Sequence, residues 1–176
     1  MKFRIFISSV QREFARERRQ LAEYIRKDVV FSKFFDVFLF EEIPAGDASP
    51  KAVYLKEVAT SDIYLGLIGR EYGFEDAAGV SPTEREYDCA GEHNKPRFVF
   101  VKKSDGRVPK EQRFLEKVES ERVRKTFPNL KSLKEAVAAT LVRFLEERRK
   151  IQTGRLPMRR FFCSGRIRRS TSLIPK

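Results

Sequence analysis

The sequence has no tryptophan, one histidine and two cysteines in 176 residues. One histidine beside two cysteines does not make a convincing zinc site. Cys89 and Cys163 stand in such different surroundings that a disulfide between them is not expected, and a reducing, cytoplasmic location fits. No apolar stretch approaches the roughly 20 residues that a membrane-spanning helix needs, so no membrane partner is expected. The opening residues 1–7 are too short and too strand-like for a signal peptide. Neither G-x-G-x-x-G nor G-x-x-x-x-G-K-[ST] occurs, which counts against a standard dinucleotide oxidoreductase and against a P-loop nucleotide hydrolase. There is no internal repeat.

Acidic residues vanish after Gly154. Residues 155–176 hold six Arg, one Lys and no Asp or Glu, so this tail supplies seven of the twelve excess positive charges and the rest of the chain only five. Such a cluster neutralises phosphates in nucleic-acid-binding arms, but here it has no motif and no periodic face. A disordered end, or a truncated or out-of-frame terminus, fits the loss of pattern better. The expected organisation is a folded domain over residues 1–154 and a basic tail over 155–176.

What the sequence does have is alternation. Hydrophobic residues make up 41% and charged residues 35%, the balance of a globular chain. Residues 3–7 read as a strand closing in Ser8-Ser9. Val10, Phe14, Leu21, Ile25 and Val29 then recur at helical spacing. Residues 35–40 form a second strand ending in Glu41-Glu42, and residues 48–60 a shorter helix with Val53, Leu55 and Val58 to bury. Residues 63–68 are a nearly apolar third strand. A helix starts at Pro82, and residues 97–101 are a fourth strand after Lys95-Pro96. Residues 109–124 are helix-compatible, a short strand is weakly indicated over 123–127, and Leu133, Val137, Leu141, Phe144 and Leu145 mark a helix ending near Lys150. Apolar strands separated by helices predict a doubly wound α/β parallel sheet covered on both faces. Ligands in such folds sit beyond the carboxyl ends of the strands. Here those ends are Ser8-Ser9, Glu41-Glu42, residues 69–72 and Lys102-Lys103.

The densest information lies in Ser81-Pro82-Thr83-Glu84-Arg85-Glu86-Tyr87-Asp88-Cys89-Ala90. Ser81 is a good N-cap, Pro82 suits the first helical position, and Glu84 completes an S-x-x-E capping box. At about 100° per residue, Glu86 shares a face with Thr83, Cys89, Ala90 and His93, while Glu84, Arg85, Asp88 and Glu92 fall opposite. A lone carboxylate on the inward face is either paired or functional, because burying an unpaired charge is costly. Paired, it would meet Arg70 or Arg97. Functional, it would face the pocket at the strand ends, where carboxylates hydrogen-bond ribose, stabilise an oxocarbenium-like centre or attack a sugar carbon.

The remaining polar residues have two readings each. Ser8 and Ser9 either bind phosphate or ribose or cap the following helix. Gly66, Gly69 and Gly73 bracket Arg70-Glu71-Tyr72, shaping a turn or letting the backbone approach a ligand; Tyr72 would stack on a base or pack on the rim. Asp62, with Ser61, is a turn or cap at the opposite edge of the sheet. His93 reads as a solvent-edge residue and Cys89 as a small buried one. Glu13, Arg16, Glu17, Arg18 and Arg19 read as a solvated helix face.

The stretch Phe3-Arg4-Ile5-Phe6-Ile7-Ser8-Ser9-Val10, the Glu- and Arg-rich first helix, residues 62–69, Tyr72-Gly73, residues 81–90 and Lys95-Pro96 together resemble the bacterial domain of unknown function 4062. That family is similar to TIR domains and to nucleoside 2-deoxyribosyltransferases. The resemblance covers roughly residues 1–154 and is sharpest in the Phe6-Ile7-Ser8-Ser9 and Thr83-Glu84-Arg85-Glu86-Tyr87 stretches. It implies a flavodoxin-like (TIR-like) sheet of four to five parallel strands and a pocket for a nucleotide such as NAD. The deoxyribosyltransferases carry a G-T-x-x-E-x-x-x-A pattern whose Glu attacks the sugar. Thr83, Glu86 and Ala90 stand at that spacing, with Ser81-Pro82 in place of the glycine. Enzymatic TIR domains place a Glu on the corresponding helix and cleave the nicotinamide–ribose bond of NAD.

Glu86 is therefore the implied catalytic residue, with Ser8, Ser9, Gly69, Arg70, Tyr72 and Thr83 expected around the ligand. No cofactor is implied, since NAD would be a substrate. The resemblance implies a nucleotide-binding domain of a signalling or defence protein that cleaves an N-glycosidic bond. The other implied role is a non-catalytic, self-associating module, a homo-oligomer at the N-terminus of a larger ATP-binding or DNA-binding regulator.

Overall fold

The computed structural model describes residues 2–44, 46, 47 and 49–153, with side chains through residue 149. The expectations for the basic tail at 155–176 and for Cys163 lie outside the described residues.

Among the described residues, five strands and six helices follow one another as β1 (Phe3–Ser9), α1 (Gln11–Lys27), α2 (Phe31–Phe34), β2 (Phe35–Phe38), a 3-10 turn (Phe40–Glu42), α3 (Pro50–Thr60), β3 (Ile63–Ile68), α4 (Pro82–Glu92), β4 (Arg97–Lys102), α5 (Pro109–Glu121), β5 (Arg124–Phe127) and α6 (Leu130–Thr153). All strands pair in parallel, in the order β2-β1-β3-β4-β5. This is the flavodoxin-like, doubly wound arrangement that the alternation of apolar strands and helices predicts. Two details depart from the sequence reading. Phe31–Phe34 forms a short helix within a stretch with no assigned element. The second strand stops at Phe38, because Phe40–Glu42 turns into a 3-10 helix.

The sheet is buried on both faces. Along β1, β3 and β4 successive residues alternate sides. On one side Phe6, Tyr64, Val99 and Val101 join Tyr54 and Val58 of α3, Tyr87 and Ala90 of α4, and Phe114 and Val118 of α5 in one cluster. The intervening Ile5, Ile7, Leu65, Leu67 and Phe100 are as deeply buried, as are Phe14, Leu21 and Ile25 of α1 and Leu133, Val137 and Leu141 of α6. Lys134 of α6 lies 5.7 Å from the Tyr24 ring of α1, and Lys102 of β4 pairs with Glu17 of α1 at 2.8 Å. All six residues of β3 are buried; each large apolar side chain withdrawn from water contributes about 1.5–3 kcal/mol, so the central strand is the best-anchored element.

The chain divides into a compact unit over Met1–Leu141, which holds the sheet, and a second unit over Val142–Lys176. In the second the described residues continue α6 and carry an i,i+4 ion pair, Arg143 to Glu147 at 2.8 Å. No helix among the described residues is long and apolar enough to cross a membrane.

Candidate active site

The strand order places a switch point at β1. From β1 the chain leaves towards β2 on one side, and β3 lies on the other, so a crevice opens beyond the carboxyl ends of β1 and β3. A cavity of about 1210 Å³ occupies that place. Ser9 and Arg18 line its inner part. Phe40 and Tyr54 form an aromatic wall, their ring centroids 6.4 Å apart. Thr83 and Glu86 come from α4, Tyr72 and Phe74 from the loop after β3, and Lys110 and Arg113 from the start of α5.

Glu86 reaches this cavity because α4 begins where the sequence places its start. Ser81 Oγ accepts the Glu84 N–H at 3.3 Å and Pro82 takes the first helical position. The capping box does not close in the expected way. The Glu84 carboxylate instead accepts from the Tyr72 hydroxyl at 2.6 Å and Lys117 Nζ at 3.0 Å, which fastens the β3–α4 loop and α5 to the first turn of α4. With that register, Thr83, Glu86, Tyr87, Cys89 and Ala90 are the buried residues of α4.

The Glu86 side chain is 8% exposed and accepts a hydrogen bond from Ser8 Oγ. Among the described residues no ion pair reaches it. Of the two arginines offered as partners, Arg97 pairs with Glu121 at 3.0 Å and lies 4.2 Å over the Tyr87 ring. Arg70 donates its backbone N–H to Glu13. Burial pushes the Glu86 carboxyl up to about 7, against the opposing pull of the Ser8 hydrogen bond and the Arg18 charge. A carboxyl in this state exchanges its proton near neutrality, at the wall of a cavity large enough for a small ligand.

The other expected site residues divide by position. Ser9, Tyr72 and Thr83 line the cavity with Glu86. Ser8 is fully buried and touches the cavity only through Glu86. Gly69 and Arg70 are not among the lining residues. The Gly69 carbonyl accepts from Arg107 Nε at 2.8 Å; a Cβ on Gly69 would overlap the Glu13 carboxylate. Asp62 ties the amino end of β3 to β1, its Oδ2 accepting the Arg4 N–H at 2.8 Å. Cys89 is buried and His93 exposed at the helix end.

The reading of Glu13, Glu17 and Arg18 as part of a solvated helix face is corrected by the structure. Arg18 is 2% exposed. Its guanidinium donates to the Ile7 carbonyl at 2.8 Å and Ser9 Oγ at 3.2 Å, and takes both oxygens of Glu41 at 3.0 and 2.7 Å. The Glu13 carboxylate accepts the backbone N–H groups of Arg70 and Glu71 at 2.8–3.0 Å. A long side chain that passes beneath a strand end to a carboxylate 23 residues away leaves no mark on helical periodicity. The one available signal was Arg18 itself, which lies on the Phe14, Leu21, Ile25 stripe.

A second buried acid was also missed. Glu111, in the first turn of α5, is 2% exposed. Burial, then the charge of Glu13, push its carboxyl up to about 8, opposed by a backbone hydrogen bond from Gly69 and the charge of Arg107.

Residues 4–142 match the family described as Domain of unknown function (DUF4062), and the chain belongs to that family. No curated protein matches it. Among solved structures the chain is similar to that of Clostridium botulinum CMP N-glycosidase, BcmB. The identity is 10% and the TM-score 0.52, over 78% of this chain and 98% of that one. At that identity the likeness concerns the fold.

Proposed function

We propose that this chain binds a nucleotide in the cavity beyond β1 and β3 and cleaves its N-glycosidic bond, with Glu86 facing the sugar. One observation carries the reading: a buried carboxyl that makes no ion pair among the described residues, held by Ser8 at the wall of a cavity at the fold's switch point. An acid that serves only the fold is normally paired, because leaving it unpaired is costly. The resemblance to the deoxyribosyltransferase pattern and the name of the N-glycosidase with the similar fold support this reaction class.

In this reading the ionised Glu86 stabilises positive charge on the anomeric carbon, or bonds to it, as the base departs. The carbon–nitrogen bond breaks with its electron pair going to the base. Water supplies hydroxyl to the carbon and a proton to the base. Ser8 orients the carboxylate, and the Arg18 charge favours its ionised form. Ser9 and Thr83 offer hydroxyls to the sugar or phosphate. NAD and CMP are the two substrates to try first, in a cytoplasmic signalling or defence setting.

The test incubates the protein with each nucleotide over a range of protein concentrations, so that an activity dependent on self-association is also detected. It measures released nicotinamide or cytosine. Base release that disappears in Glu86→Ala is the expected result. Equal release by both proteins would sink the catalytic role.

A further inference from the structure

The loop between β3 and α4 presents Phe74 in an unusual way. The side chain is 83% exposed, yet it lines the mouth of the cavity. The backbone beneath it is fixed on both sides. Before it, the Tyr72 hydroxyl holds Glu84 at 2.6 Å. Gly73 has φ +84° and sits so close to Val10 that a Cβ would lie 3.2 Å from its Cγ2. After it, Glu75 pairs with Lys110. Asp76 then builds a turn, accepting the N–H of Ala78 at 2.9 Å while pairing with Arg85 at 2.5 Å. An aromatic ring is thus held in water at a cavity mouth by a loop anchored to α4 and α5.

We infer that Phe74 stacks on the base of the bound nucleotide and closes the cavity mouth over it, which makes it a specificity-determining residue. The inference rests on the nucleotide reading of the cavity. Its surroundings favour a small planar ligand over a protein surface: the flanking side chains Glu71, Glu75, Arg12 and Lys110 are charged and already paired with one another. The exposed large apolar side chains they leave at the cavity are the Phe74 ring and the smaller, less exposed Val108, too little for a protein interface. A base has a π-face whatever its sequence identity, so stacking gives affinity for nucleobases as a class. The inner cavity, with Glu86, then takes the sugar, and the mouth takes the base.

The absence of tryptophan from the chain makes Phe74→Trp a single fluorescent reporter at the mouth. It is titrated with CMP, AMP, NAD and ribose 5-phosphate, and the same ligands are measured by calorimetry on the wild type, Phe74→Ala and Phe74→Tyr. The expected result is saturable quenching by base-bearing ligands and none by ribose 5-phosphate. Phe74→Ala should weaken nucleotide binding roughly tenfold, within the range for loss of one base–aromatic stack, and Phe74→Tyr should restore it. If the wild type binds nucleotides but Phe74→Ala binds them equally well and the tryptophan stays silent, the inference is overturned and the nucleotide reading survives. If the wild type binds none of the nucleotides, that reading fails and the role of Phe74 falls with it.

Discussion

Ser8, at the end of β1, donates its hydroxyl to the Glu86 carboxylate in the second turn of α4, across 78 residues of sequence. The bond favours the charged form of an acid that burial, the larger effect, still holds at about 7. If the ionised form does the chemistry, kcat/KM for base release should rise with pH through about 7 and level off above it. Ser8→Ala removes the donor, so the rising limb should move to higher pH while the plateau changes less. A falling limb in the same range would assign Glu86 the part of a proton donor. Rates of base release between pH 5 and 9 decide between them.

The same shift has a cost in stability. The Glu86 carboxyl titrates near 4.5 when unfolded and near 7 when folded. Between those values the folded chain holds a proton that the unfolded chain has lost, so stability falls as pH rises through the window. Glu86→Gln cannot ionise. It should abolish base release, yet be more stable than the wild type at pH 8 by on the order of 1–3 kcal/mol. Urea denaturation of both proteins at pH 5 and pH 8 measures this. A variant that loses stability instead would point to a carboxylate serving the fold.

The sheet was legible because its signals are periodic and local. Apolar runs such as residues 63–68 have one fate in a doubly wound fold, and Ser81-Pro82 fixes the start of α4, hence the face on which Glu86 lies. What escaped was the destination of long charged side chains. Arg18 and Glu13 sit among other charges on a helix that reads as solvated, but one passes under β1 to Glu41 and the other grips the loop after β3. Glu111 was hidden for the same reason, in a stretch rich in charge where one acid turns inward. The aromatic lip at Phe74 depends on how the loop is anchored, and those anchors, Tyr72 to Glu84 and Glu75 to Lys110, join separate elements.

Glu111 gives a prediction about the fold alone, because it does not line the cavity. Its carboxyl titrates near 4.5 unfolded and near 8 folded, so it too subtracts stability as pH rises across that range. Burial raises it most, with the Glu13 and Glu84 charges adding to the rise, and the Gly69 N–H and Arg107 lower it. Glu111→Gln should raise Tm by several degrees at pH 8, change it little at pH 4.5, and flatten the decline between them. Because the Glu13 charge contributes, Glu13→Gln should shift the wild-type decline towards lower steepness. Melting curves from pH 4 to 9 for the three proteins test both statements.

Gly69 and Glu13 should be coupled. The Glu13 carboxylate fills the space where a Cβ on residue 69 would project, and it is held there by the Arg70 and Glu71 N–H groups at 2.8–3.0 Å. Gly69→Ala must displace that carboxylate and lose its bonds, at a cost of about 1–3 kcal/mol. Glu13→Ala gives up the same bonds, at about 1 kcal/mol, since the loop N–H groups can turn to water. In the double variant the methyl group has nothing left to displace, so the loss should be well short of the sum, by roughly 0.5–2 kcal/mol. Losses that add in full would mean that the methyl group meets something other than Glu13. Both single variants also loosen the segment carrying Tyr72 and Phe74, so nucleotide affinity should fall in each, and no further in the double. Denaturant unfolding and calorimetry on the four proteins of the cycle supply both numbers.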